Sequence, residues 1–107
     1  MPPSVGNLAG KWELIKTLDN QGHYRSAGME MNIESNPPLE VAIDGHQCTG
    51  VSYNESTGDI TFVDGSSSYV GKCSVVTGPN GNTIVSQGMW TDAYSNSFPW
   101  HATQKPD

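Results

Sequence analysis

The sequence predicts an all-β fold: one small antiparallel β-sandwich of jelly-roll type with about eight strands. Three observations carry this. Apolar and polar residues alternate with period two in run after run along the chain, the pattern of strands with one face inward. Clusters of Gly, Pro, Asn and Asp separate the runs about every twelve residues, so neighbouring strands join by short turns and pair antiparallel. No long window shows helical spacing with caps. A short up-and-down barrel is the alternative on the same pattern. Short strands with one apolar residue in two enclose little volume, which favours a sandwich filled by side chains.

Residues 11–18 read as a first strand, with Trp12, Leu14 and Leu18 on one face and Glu13 and Thr17 opposite. Residues 19–22 form a turn. The run 24–34 is the cleanest strand, Met29, Met31 and Ile33 alternating with Glu30, Asn32 and Glu34. Pro37 and Pro38 end it, since proline cannot donate to a central ladder. Leu39, Val41 and Ile43 mark a third strand, and Asp44-Gly45 turns the chain. A fourth runs over residues 47–53, followed by a hairpin loop at 54–58 with Gly58 in a left-handed position. Ile60 and Phe62 mark a fifth, residues 69–77 a sixth, residues 83–90 a seventh and residues 98–104 the last. Residues 1–107 make a single domain, with 1–7 and 104–107 as loose ends.

Composition narrows the partners. Leu, Ile, Val and Phe make up only 19 of 107 residues, so the core is slim and the three Trp and four Tyr supply much of its bulk. Gly, Ser, Thr, Asn and Gln account for 44 residues, while Lys and Arg number five and the net charge is −6. Nucleic acid needs clustered cations to displace counterions, and no such cluster exists. Anionic membrane surfaces are excluded on the same ground, and no run is long enough to insert in a bilayer. No secretory signal follows Met1, which points to a cytosolic or non-classically exported protein. Asn54-Glu55-Ser56 matches a glycosylation acceptor.

Catalytic signatures are missing. The sequence has no Gly-x-Ser-x-Gly elbow and no His-Glu-x-x-His pair among His23, His46 and His101. Cys48 stands two residues after His46, a spacing that shares one face of a strand, but a nucleophilic thiol also needs exposure and a lowered pKa. The expectation is a protein that is not an enzyme. Cys48 and Cys73 lack metal-site spacing and read as either one disulfide or two buried thiols. No cofactor is expected. The Asp64 and Asp92 loops could contribute oxygens to calcium, though neither has the ligand density of a calcium loop.

The leading functional reading is a non-catalytic carbohydrate-binding protein, a small lectin or hemagglutinin. A surface of neutral hydroxyls and amides suits a neutral, hydroxyl-rich ligand. Residues 90–100 gather Trp90, Asp92, Tyr94, Asn96 and Trp100 around the longest hairpin loop. Aromatic rings stack on the C–H face of a pyranose, while Asp and Asn side chains pair with its hydroxyls. Glycans or glycoproteins are then the partners, with homodimerisation through an exposed strand edge raising avidity.

The segment Asn7-Leu8-Ala9-Gly10-Lys11-Trp12 resembles the Gly-x-Trp opening of the first strand in calycin-type barrels, through Gly10 and Trp12. The resemblance implies a Trp packed across the closed end of a barrel and a small apolar ligand at the other end. It makes a calycin-like binding barrel the alternative function, with a cavity lined by Met29, Met31, Ile33, Val41 and Ile43. A third reading is a protease inhibitor or interaction module presenting the Tyr94 loop.

Overall fold

The computed structural model describes residues 2–19, 25–26, 28–79 and 81–106. His23, the turn at 20–22 and the start of the expected 24–34 strand lie outside them.

The fold is all-β and antiparallel. A 3-10 turn at Val5–Leu8 precedes β1 (Gly10–Lys16), β2 (Met29–Glu34), β3 (Glu40–Ile43), β4 (His46–Gln47) and β5 (Thr49–Tyr53). Then come β6 (Asp59–Asp64), β7 (Ser67–Gly78), β8 (Gly81–Thr91) and β9 (Ser97–Gln104). All nine belong to one sheet in the order β4-β3-β2-β1-β9-β8-β7-β6-β5. Sequence neighbours are sheet neighbours wherever they pair, and the first long strand closes on the last, Leu14 opposite Ala102 and Trp12 opposite Gln104. With β3 approaching β5 across the seam, the sheet is nearly closed, the barrel-like form of the two architectures the pattern allowed.

Two local events depart from the alternation. The expected fourth strand is divided: β4 pairs with β3, β5 pairs with β6, and Cys48 sits buried at the break. Gly50 has φ of 57° and the β5–β6 register shifts between Thr49 and Ser52. A left-handed glycine at such a shift bends a strand strongly; the chain has by then crossed the seam, Cys48 N–H still bonding Val41 O on β3 and Thr49 already pairing with Val63 on β6. At the end of β1, alternation reverses. The ladder stops at Lys16, Thr17 turns inward through a bridge to Arg25, and Leu18, expected in the core, is exposed.

The barrel has two unlike ends. At one, the 3-10 turn closes the base: Trp12 is fully buried and its indole N–H donates to Leu8 O at 2.9 Å. Gln104 Nε2 donates to Asn7 O and Ala9 O, Lys105 N–H to Lys11 O, and the Tyr53 hydroxyl to Pro3 O. These bonds hold the chain segments that the sequence suggested as loose ends. The opposite end carries the β1–β2, β3–β4, β6–β7 and β8–β9 connections. Asp92 stands at its rim, and it is called the Asp92 end below.

Candidate functional site

Inward positions near the Asp92 end are aromatic. Phe62 on β6 and Tyr69 on β7 lie in register and stack at 4.8 Å between ring centroids. Trp100 on β9 meets both edge-on, at 5.6 and 5.7 Å. Trp90 on β8 lies 6.3 Å from Tyr69 and 5.3 Å from Phe98. Offset and edge-on contacts of this kind each add a little beyond their buried area, so four strands are cross-linked by one aromatic cluster.

Trp100 fits because its neighbours are glycines. Its cross-strand partner is Gly88, whose partner on β7 is Gly71. A Cβ on Gly71 would come within 2.6 Å of the Trp100 ring, and one on Gly88 would run into the β7 backbone at Val70 O, so the indole lies where a side chain at position 71 would otherwise stand. Its N–H donates to Val70 O at 3.2 Å and Met89 O at 3.1 Å.

Two polar groups stand among these rings. Tyr69 is 1% exposed and its hydroxyl has no hydrogen-bond partner among the described residues. Burial first, then the charges of Asp64 and Cys48, push its pKa upward, so it stays protonated and able to donate. Lys16 follows Trp12 and Leu14 on the inward parity of β1, and its Nζ lies 4.4 Å from the Trp90 ring centroid and 5.9 Å from that of Tyr69. A cation over two ring faces is attracted by their quadrupoles. Ser86 Oγ, opposite Cys73 deeper in the barrel, is also buried and stands close enough to the thiol to act on it.

The five residues singled out from sequence fall into two groups. Trp90, 6% exposed, and Trp100, 2% exposed, face the interior and do not offer a stacking face to solvent; the Trp90 indole N–H donates to Thr17 O at 2.8 Å. Tyr94 is 85% exposed at the tip of the β8–β9 loop. Asp92 and Asn96 build that loop. Asp92 Oδ1 accepts the N–H groups of Tyr94 and Asn96, each at 2.9 Å, while Oδ2 accepts the Asn96 side-chain amide at 3.4 Å. The Asn96 N–H above all, with that of Tyr94 and the Asn96 amide, holds the Asp92 carboxyl below the usual carboxylate range. The loop therefore presents Tyr94 on a scaffold whose polar side chains are largely occupied with one another.

The remaining candidates are quickly placed. Cys48 and Cys73 are free and buried. Burial, then the Asp64 charge, raises the Cys48 thiol to about 11, the opposite of what a nucleophile needs. His46, opposite Ile43 in the β3–β4 ladder, is exposed, whereas Cys48 is buried. Burial also raises Cys73, with Ser86 acting in the other direction. Among the described residues no three His, Cys, Asp or Glu side chains gather as a metal site, and no helix is long and apolar enough to cross a membrane. On the outer face of β8 and β9 an open hollow of about 510 Å³ is walled by Lys72, Gln87, Met89, Pro99 and His101. Met31, Ile33, Val41 and Ile43 are core residues, with Met29 packed beside them.

Sequence reasoning missed Lys16, Phe62 and Tyr69 as a group. The signal available was parity: Lys16 continues the series Trp12, Leu14, a charge on an inward face. Comparison of the chain with protein-family models, with curated proteins and with solved structures finds no match.

Proposed function

We propose that this chain is a non-catalytic binding barrel that takes a small molecule at its Asp92 end, against the cluster of Tyr69, Trp90 and Trp100. The observation that carries the reading is the Tyr69 hydroxyl. A buried hydroxyl left unbonded costs about 1–3 kcal/mol, and buried polar groups without partners are few enough in folded proteins that each calls for an explanation. A ligand acceptor would supply the missing bond, and the rings would supply apolar contact. The nearly closed sheet and the Trp12 plug at the far end leave the Asp92 end as the approach.

Tyr69→Phe separates this reading from plain packing. The variant should be more stable than the parent by about 1 kcal/mol, because an unsatisfied hydroxyl is removed with little change in shape. Titration with neutral apolar amides, such as 4-phenylbutyramide, followed by Trp emission and calorimetry, should show saturable binding to the parent and weaker binding to the variant. No binding to the parent by such amides or by the matching acids, or equal binding to both proteins, would end the proposal.

A second reading keeps the carbohydrate idea for the exposed loop. Tyr94 is a large aromatic held in water by an ordered turn, which is the geometry for stacking on a sugar. A glycan array on the parent and on Tyr94→Ala tests it. A coherent set of glycans bound by the parent and lost in the variant supports it, and a blank array rejects it.

A further inference from the structure

Lys16 is the one basic side chain carried into this aromatic cluster from β1, and it makes no ion pair among the described residues. Resting on the binding reading above, we infer that the ligand is a carboxylate: an anionic head held by Lys16 at the rim, with an apolar body against Trp90 and Tyr69.

Lysine is among the side chains least often found on an inward face, because its ammonium loses solvation there. Ring faces return only part of that loss. Here Lys16 alternates with Trp12 and Leu14, which are fully buried, and its own flank is covered by Trp90. Its backbone is held by the sheet at both sides: Lys16 pairs with Trp100 in the β1–β9 ladder, its N–H donates to Ser26 Oγ at 3.0 Å, and its carbonyl accepts the Ser26 N–H at 2.8 Å. The ammonium lies over the Trp90 ring, 5.9 Å from the centroid of the Tyr69 ring that carries the unbonded hydroxyl, and the cluster offers donors and apolar area with no carboxylate paired to the lysine among the described residues. The complementary ligand brings acceptors and a negative charge. A neutral amide satisfies the donors but leaves the charge unmatched, whereas a carboxylate answers both, and charge-assisted bonds are about twice as strong as neutral ones.

Asp64 sets the limit on this preference. It lies near enough for its charge to act on Tyr69 and Cys48, so it opposes an anionic ligand at the same end of the barrel. Removing that charge should help a carboxylate and leave an amide unaffected, which gives the inference a second, independent handle.

The test is a set of matched acid and amide pairs, phenylacetate, 4-phenylbutyrate and octanoate each beside its primary amide, titrated into the full chain by calorimetry. In the parent each acid should bind about tenfold tighter than its amide, and the margin should shrink at high ionic strength. Lys16→Met, which keeps the apolar stem, should bring the two Kd values together, while Asp64→Asn should tighten the acids alone. Acids and amides binding the parent equally, or a preference that survives Lys16→Met, overturns the inference and leaves the binding barrel standing. Binding by neither acids nor amides overturns both.

Discussion

Gly88→Ala is the substitution for which the structure makes the largest demand. A Cβ at this position would stand 1.9 Å from Val70 O and 2.5 Å from Gly71 Cα. Both are backbone atoms of the paired strand, so no rotamer change relieves the contact. Reaching an ordinary separation of 3.4 Å means moving β7 and β8 apart by about 1.5 Å at that point. The same movement disturbs the Trp100 indole, whose N–H donates to carbonyls on both strands, Val70 O and Met89 O. Overpacking costs about 1–3 kcal/mol, and loosening two hydrogen bonds adds about 0.5–1.5 kcal/mol each. A total of about 3 kcal/mol is expected, equivalent for a domain of this size to a fall in Tm of about 12–20 °C. Gly6→Ala is the control, since a Cβ there meets nothing within 4 Å and should change stability by less than about 0.5 kcal/mol. Guanidinium unfolding of the three proteins, followed by Trp emission, gives both values. A Gly88→Ala protein within about 1 kcal/mol of the parent would show that the Trp100 pocket is not held by the glycine pair, and the account of the cluster would fail with it.

Two further outcomes follow from ionisation. Asp92 is held below its ordinary pKa in the folded chain, so its contribution is fully present above the unfolded value near about 3.9 and is lost as pH falls through the lower folded value. Backbone amide signals of Tyr94 and Asn96 should therefore shift together only in strong acid, and a transition centred above about pH 5 would refute the hydrogen-bond assignment. Cys48 and Cys73 are buried with raised pKa values, so a thiol reagent at about pH 8 should label neither in the native protein and both after unfolding without reductant. Labelling of native protein, or no labelling after unfolding, would contradict the two free buried thiols.

Most of the fold was legible because the barrel wall obeys one rule. Met31, Ile33, Val41, Ile43, Ile60 and Phe62 all sit where period-two alternation places them. The departures come where backbone conformation overrides parity. The run that reads as one strand is divided at Cys48 into β4 and β5, and the left-handed Gly50 shifts the register just inside β5; the sequence marks Gly50 only as another glycine. Leu18 reads as a core residue until the ladder ends at Lys16 and Thr17 turns inward to accept the Trp90 N–H. Barrel closure itself is a long-range event, β1 with β9, and local pattern carries no information about which distant edges meet. The candidate site was half visible. Trp90 and Trp100 were found as a pair, but the room for the Trp100 indole depends on Gly71, two strands away on β7.

The contrast between the ends of the barrel is the strongest reason to place binding where we do. At the base, side-chain donors find acceptors among the ends of the chain itself: the Trp12 indole, both Gln104 amide bonds and the Tyr53 hydroxyl are all matched to backbone carbonyls. That end is finished by the protein's own atoms, and a ligand there would have to displace them. At the Asp92 end, among the rings of the aromatic cluster, the Tyr69 hydroxyl lacks a partner and the Lys16 ammonium lacks a counter-charge among the described residues. A chain with so slim an aliphatic core has little stability to spare for an unbonded hydroxyl. Tyr69→Phe would relieve that cost with one atom removed. A tyrosine there is accounted for by packing only if its hydroxyl is idle, and by binding if the hydroxyl is the point at which a ligand is held.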